Sequence, residues 1–225
     1  AHLKIRSNQL YLAELRMIKN DSEIDLVKKA VAITKEGLER IMSNLKTSKF
    51  EYELEADYNY VLNRNLTSTS FDTIAASGKN ATVLHYVDND SKIAENSLML
   101  FDLGVDYKYY CSDVSRTFPT NGKFSKRQKE VYEVVLEANK KTIEWLKPGV
   151  TMEEFQDYGK HLLIQGAKLI GLIKEDAEIL KYYYHSLGHY LGLDVHDVGN
   201  YTKPIPEGAL ITVEPGLYIA EEGIG

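Results

Sequence analysis

An α+β domain built from two halves of similar outline is the fold class this chain predicts, and three observations predict it. Two pairs of helices are each opened by a cap residue; short apolar, strand-like runs follow each pair; and the order helix, helix, strands therefore occurs twice. The halves share no obvious residue identity, so the duplication is one of architecture. With 225 residues, 44% of them hydrophobic and 27% charged, the chain has the length and composition of one large globular domain.

Residues 1–20 mix Leu10, Leu12, Leu15, Met17 and Ile18 with charges and read as a lead-in from a preceding domain, with no function assigned. The domain proper spans 21–225. Ser22-x-x-Asp25 predicts a helix start, and Ile24, Val27, Val31, Leu38, Ile41, Met42 and Leu45 follow at helical spacing. A second helix is expected over 52–64. Strand-like runs come next at 72–77, 98–105 and 109–118, with a turn at 78–80 and an Asp88-Asn89-Asp90 loop between them. Ser125-x-x-Gln128 caps a helix that Pro148-Gly149 stops, and Thr151-x-x-Glu154 caps another that ends near Gly166. A charged connector leads to a histidine-rich run, and strands are expected at 209–213 and 217–220.

Net charge and cysteine usage exclude several functions. A charge of -6 without basic runs argues against nucleic acid and against an acidic membrane face, and suits a cationic group on a substrate. Cys111 is the only cysteine, so the chain forms no internal disulfide and no multi-thiolate zinc site. No apolar run is long enough to span a bilayer and no secretory signal is visible, so a reducing, cytoplasmic location is expected.

The densest chemistry lies at 184–199, where His185, His189 and His196 stand beside Asp194, Asp197 and three glycines. Clustered imidazoles suit metal ligation or acid–base work; the alternative is a polar loop whose histidines bond to backbone. Among the acids, Asp102 ends the apolar run 98–101, and Asp113 follows after it in the next run. A tight turn between Tyr107 and Lys108 sets the two facing across an antiparallel pair, Cβ atoms about 4.5–5.5 Å apart, a separation that bridging metals tolerate. A looser loop sends both to solvent, and no Asn-Gly or Asp-Gly marks the turn. Glu214 closes the apolar run 210–213 ahead of Pro215, either as a strand-end surface charge or as a partnered acid. Cys111 shares Asp113's face by the strand period and is expected to be an apolar neighbour.

Four ordered stretches resemble one family: Ala76-Ser77-Gly78-Lys79-Asn80 with Leu84-His85-Tyr86; Asp102-Leu103-Gly104 with Asp113-Val114-Ser115-Arg116-Thr117-Phe118-Pro119; His185-Ser186-Leu187-Gly188-His189 with Gly192-Leu193-Asp194-Val195-His196-Asp197-Val198-Gly199; and Val213-Glu214-Pro215-Gly216-Leu217-Tyr218. From about Arg16 onward the chain resembles the catalytic domain of Xaa-Pro aminopeptidase (aminopeptidase P), a pita-bread metallopeptidase related to prolidase and methionine aminopeptidase. The resemblance implies a curved antiparallel sheet with helices outside. It implies two divalent metal ions, usually manganese, with cobalt or zinc as alternatives. Asp102 would bind one ion and Asp113 bridge both, with His189 and Glu214 on the second. His85 and His196 match residues near the scissile bond and the oxyanion, His185 matches one on the proline side of the substrate, and Tyr218 matches a tyrosine lining the site.

The implied activity is removal of the N-terminal residue from peptides with proline in second position, by a hydroxide shared between the metals, in a homo-oligomeric full-length protein. One feature of the family pattern is not met. A second bridging glutamate, in a strand of Ile-Arg-Ile-Glu-Asp type, would follow Gly223-Ile224-Gly225, and the amino-terminal domain would precede residue 1. The 225 residues are thus expected to be a piece of a longer enzyme that alone holds metal weakly and turns over little. Prolidase, acting on Xaa-Pro dipeptides, and a non-catalytic peptide-binding relative are the competing readings.

Overall fold

The structure, a computed structural model, describes residues 7–225; the first six residues of the expected lead-in lie outside them. Much of the lead-in is helical, as α1 (Gln9–Met17), and α2 (Asp21–Asn44) follows at once. The cap of α2 is Asn20 rather than Ser22. Asn20 Oδ1 accepts the Glu23 N–H at 3.1 Å while the Glu23 carboxylate accepts the Asn20 N–H at 2.8 Å. This reciprocal pair satisfies two amides that a helix start otherwise leaves unpaired, which moves the start back from the expected site.

Helix α3 (Glu51–Arg64) completes the first pair. Two small antiparallel sheets follow. One has the order β1 (Ser68–Thr69), β4 (Val105–Tyr107), β5 (Tyr110–Cys111); the other has β3 (Leu98–Leu103) between β2 (Ile74–Ser77) and β6 (Val114–Pro119). Strand alternation sorts β3 into two faces. Met99, Phe101 and Leu103 are buried against Ile33 and Ile41 of α2 and Leu54 and Tyr58 of α3. Asp102 therefore faces the other way.

The expected single strand 98–105 is broken at Gly104. A Cβ there would lie 2.0 Å from Ser70 Oγ and 2.3 Å from the Ser112 carbonyl oxygen, so another segment crosses where a side chain would stand. The hairpin turn also differs. Tyr107 pairs with Tyr110, and Lys108 and Tyr109 carry φ of +52° and +72°, the left-handed pair that a primed two-residue turn needs. Asp106 supplies what the sequence lacks in glycine or asparagine, its Oδ1 accepting the Tyr109 N–H at 2.8 Å. With the turn one residue later than expected, Asp102 pairs with Ser115 and not with Asp113. Asp113, two residues before Ser115, shares Asp102's face as a diagonal neighbour.

In the second half, α4 (Lys126–Trp145) and α5 (Met152–Leu169) carry the expected Ser125/Gln128 and Thr151/Glu154 capping boxes. They bury Val131, Val134 and Ala138 against Leu163 and Ala167. The strands expected at 209–213 and 217–220 do not form ladders. Their amides go instead to the irregular histidine run: Thr212 N–H to the His189 carbonyl at 2.9 Å, Glu214 N–H to Leu187 at 2.8 Å and Tyr218 N–H to Tyr182 at 2.8 Å. Only isolated bridges remain, such as Tyr190 with Ile211. A partner without regular strand geometry cannot propagate a ladder.

Gly37 of α2 offers a test of this packing. A Cβ there would lie 2.4 Å from the fully buried Tyr58 ring. In an exposed helix, Gly→Ala adds about 1 kcal/mol of stability. Here overpacking reverses the sign, and Gly37→Ala is expected to destabilise by about 1–3 kcal/mol, read as a lowered urea midpoint with unchanged slope. A raised midpoint would contradict the packing described.

Candidate metal centre

Strand alternation and the hairpin put Asp102 and Asp113 on one face, and the irregular run 182–191 lies against 209–218 so that His189 and Glu214 reach the same place. Asp113, His189 and Glu214 each offer a ligand atom, and these atoms all lie within 4.8 Å of one another. His189 Nε2 is 3.2 Å from Asp113 Oδ2 and 3.1 Å from Glu214 Oε1. Its other nitrogen, Nδ1, is 2.9 Å from the Tyr190 carbonyl oxygen. A carbonyl can only accept, so Nδ1 carries the hydrogen. A neutral His189 thus presents its Nε2 lone pair to two carboxylates, which is repulsive unless a proton or a cation lies between them.

The electrostatics agree with that geometry. Burial, with the charges of Asp113 and Glu214 adding to it, pushes the Asp102 carboxyl up to about 7, although Ser115 Oγ donates to its Oδ1 at 2.8 Å. Burial works against protonation of His189, but hydrogen bonds to Asp113 and Glu214 outweigh it and raise the imidazolium to about 10. Glu214 is desolvated too, yet hydrogen bonds from His189 and from Thr212 Oγ1, the latter at 2.7 Å, hold it below the usual carboxylate range. Thr212 Oγ1 in turn accepts the His189 N–H at 3.0 Å, so one hydroxyl ties both side chains together.

The remaining sequence-predicted residues divide. His196 packs its ring against His189, centroids 4.3 Å apart and planes at 72°. His185 is fixed at both nitrogens, Nδ1 to the Ser186 carbonyl at 2.7 Å and Nε2 to the Tyr218 hydroxyl at 2.9 Å. Burial raises the Tyr218 hydroxyl well above the ordinary tyrosine value, so it remains a donor. His85 is exposed, sits at φ +53°, and joins none of these contacts among the described residues. Its segment is anchored by Glu51, a fully buried carboxylate accepting from the Ser77 N–H, Asn80 Nδ2 and the Tyr86 hydroxyl. Sequence reasoning missed Glu51, Thr212 and Ser115. It also gave no role to Arg16 and Lys19, whose side chains reach Asp197.

As a donor set, carboxylate oxygens with one imidazole nitrogen suit a divalent first-row ion, and the imidazole is already held by its far nitrogen as such ligands usually are. The residues fit the group.

Comparison with known proteins agrees. The model of Metallopeptidase family M24 matches residues 25–225. Xaa-Pro aminopeptidase of Haemophilus influenzae is 41% identical over 223 residues, covering 94% of this chain and 52% of that protein. The Escherichia coli enzyme of the same name is 36% identical over 221 residues, covering 93% and 50%. A Bacillus anthracis structure provisionally assigned as aminopeptidase P superposes with a TM-score of 0.95 at 48% identity, over 100% of this chain and 54% of that one. Aminopeptidase P from E. coli, in a low-pH form, gives 0.91 at 35% identity, over 97% and 54%. The chain spans about half the length of the relatives it matches. The fold is accordingly the pita-bread fold, and the chain belongs to Metallopeptidase family M24.

Proposed function

We propose that residues 21–225 are the catalytic domain of a metal-dependent exopeptidase that removes the N-terminal residue from peptides with proline in second position. The observation that carries this reading is the His189 imidazole, fixed at Nδ1 by the Tyr190 carbonyl and aimed with Nε2 between Asp113 and Glu214. The relatives' names supply the substrate class. His189 and Glu214 would hold one divalent ion, Asp102 another, and Asp113 both. Bound there, the ions, manganese by the family's habit, would supply Lewis acidity and an acidified water.

The chain's own residues have separable tasks in this reading. Three acids gathered about His189 attract the free amino terminus of a peptide. His196 and His85 donate hydrogen bonds to the oxygen that gains negative charge when the peptide carbon becomes tetrahedral. His185 lies on the proline side; with both ring nitrogens bonded to Ser186 and Tyr218, it offers an apolar face to a ring that has no N–H to recognise. Thr212 keeps the His189 and Glu214 side chains in mutual register as substrate enters.

In the full-length protein, Asp113→Asn or His189→Ala is expected to lower hydrolysis of an Xaa-Pro-Yaa peptide on the order of a hundredfold or more. Near-native turnover of either variant at saturating manganese would refute the assignment. Cleavage of Xaa-Pro dipeptides alone would make the protein a prolidase, and absence of bound divalent metal would make it a binding relative.

The shifted groups also set a pH dependence for protein stripped of divalent ions. Asp102 binds its proton more tightly when folded than its ordinary 3.8, so its stabilising contribution is present at low pH and is lost as pH rises through about 7. The same sign holds for His189, whose contribution is complete below 6.5 and lost through about 10. The urea midpoint of the stripped protein should fall between about pH 4 and about pH 10, with Asp102→Asn flattening the part below about pH 7. Manganese affinity should rise over the same interval, since the His189 proton must leave. Identical profiles for wild type and Asp102→Asn would contradict the electrostatics described.

A further inference from the structure

Asp197 follows His196 directly, and its side chain is fully buried. Oδ1 accepts from Arg16 Nη2 at 2.5 Å and from the Val198 N–H at 2.9 Å; Oδ2 accepts from Lys19 Nζ at 3.1 Å. Lys19 is itself buried, its side chain 1% exposed, and Arg16 also reaches Asp194 at 2.7 Å. Two cations, one from the last turn of α1 and one from the connection to α2, therefore meet two acids of the histidine run, and the buried Lys19 and Asp197 charges compensate.

The surroundings make this a clamp on one loop. The Asp197 N–H donates to the Tyr190 carbonyl at 2.9 Å, closing residues 190–197 into a ring of chain. Gly192 within that ring has no room for a side chain, because a Cβ would lie 2.2 Å from Asp197 Oδ2 and 2.9 Å from Lys19 Nζ. On the opposite side the Cys111 N–H donates to the Gly192 carbonyl at 2.8 Å, joining the loop to the β4–β5 hairpin. The loop's two ends carry His189 and His196, whose rings pack edge to face.

A buried ion pair adds little net stability over an apolar replacement, but removing one partner strands the other's charge. What the pair adds here is direction. We propose that Asp197, held by Lys19 and Arg16, is a positioning residue that fixes the 190–197 loop and so keeps His196 against His189 in catalytic register. The loop geometry stands by itself, whereas the catalytic consequence rests on the peptidase reading above.

Hydrogen exchange followed by mass spectrometry, together with kcat and KM, on the full-length protein tests this with Asp197→Asn, Lys19→Met and Lys19→Arg. Exchange in 190–199 should speed about tenfold or more in the first two while α4 and α5 keep wild-type protection. In the same variants kcat should fall about a hundredfold with KM within about threefold. Lys19→Arg should restore most of both. Because Lys19→Met leaves Arg16 in place, it carries the test where Asp197→Asn fails to fold. Unchanged exchange in 190–199, acceleration spread evenly through α4 and α5, or unchanged kcat beside a loosened loop would each overturn the proposal. Wild-type protein that does not cleave the peptide would sink the peptidase reading instead, and the exchange pattern would still decide the loop.

Discussion

A single imidazole wedged between two carboxylates, with a third acid close behind, is the constraint on which the rest of the structure depends. His189 cannot sit neutral and metal-free against Asp113 and Glu214 at hydrogen-bond distance, because three sets of lone pairs would converge. The crowding is tolerated only where positive charge occupies the gap. In the protein without metal, a proton on His189 performs that task and eases ionisation of Asp102, although burial and the charges of Asp113 and Glu214 still hold that carboxyl up to about 7. A divalent ion would perform it better, since it can be shared among more than two oxygens. Such a preference between proton and cation needs ligands held in advance, and three of the four have a brace of their own: Ser115 on Asp102, Thr212 on Glu214, and the Tyr190 carbonyl on His189.

What was legible in the sequence is what is local. The Ser125 and Thr151 caps and the helices they start lie where expected, because a capping box places both its partners three residues apart in the chain. Asn20 was missed only because Ser22 offered a competing match two residues later. The hairpin was harder. Its left-handed positions are held by Lys108 and Tyr109 and supported by Asp106, a chemistry that turn-residue preferences do not flag. Moving the turn by one residue moved the pairing of Asp102 by two, from Asp113 to Ser115. A shift of two preserves the face whereas a shift of one inverts it. The two aspartates therefore stayed on a common face although the register was misjudged. The bonds from Arg16 and Lys19 to Asp197 had no signal at all, since nothing in composition or periodicity links positions so far apart in the chain.

The histidine run is irregular for a reason that also explains the missing strands at 209–213 and 217–220. A regular strand sends successive side chains to opposite faces, which would separate His189 from the groups it must meet and leave no way to bring His196 back beside it. Folding 190–197 into a closed loop solves that, but it crowds the backbone. Glycines stand where another group passes. A Cβ at Gly188 would lie 2.0 Å from the Thr212 carbonyl oxygen, at Gly192 2.2 Å from Asp197 Oδ2, and at Gly199 2.0 Å from the Tyr190 ring. None of the three is among the left-handed residues, so they are there for space and not for torsion. Close approach of this kind leaves the loop few alternative packings. The segment thus combines a shape no ladder could provide with the fixity that a ladder normally supplies, and 209–218 gives up its own regular pairing to follow that shape.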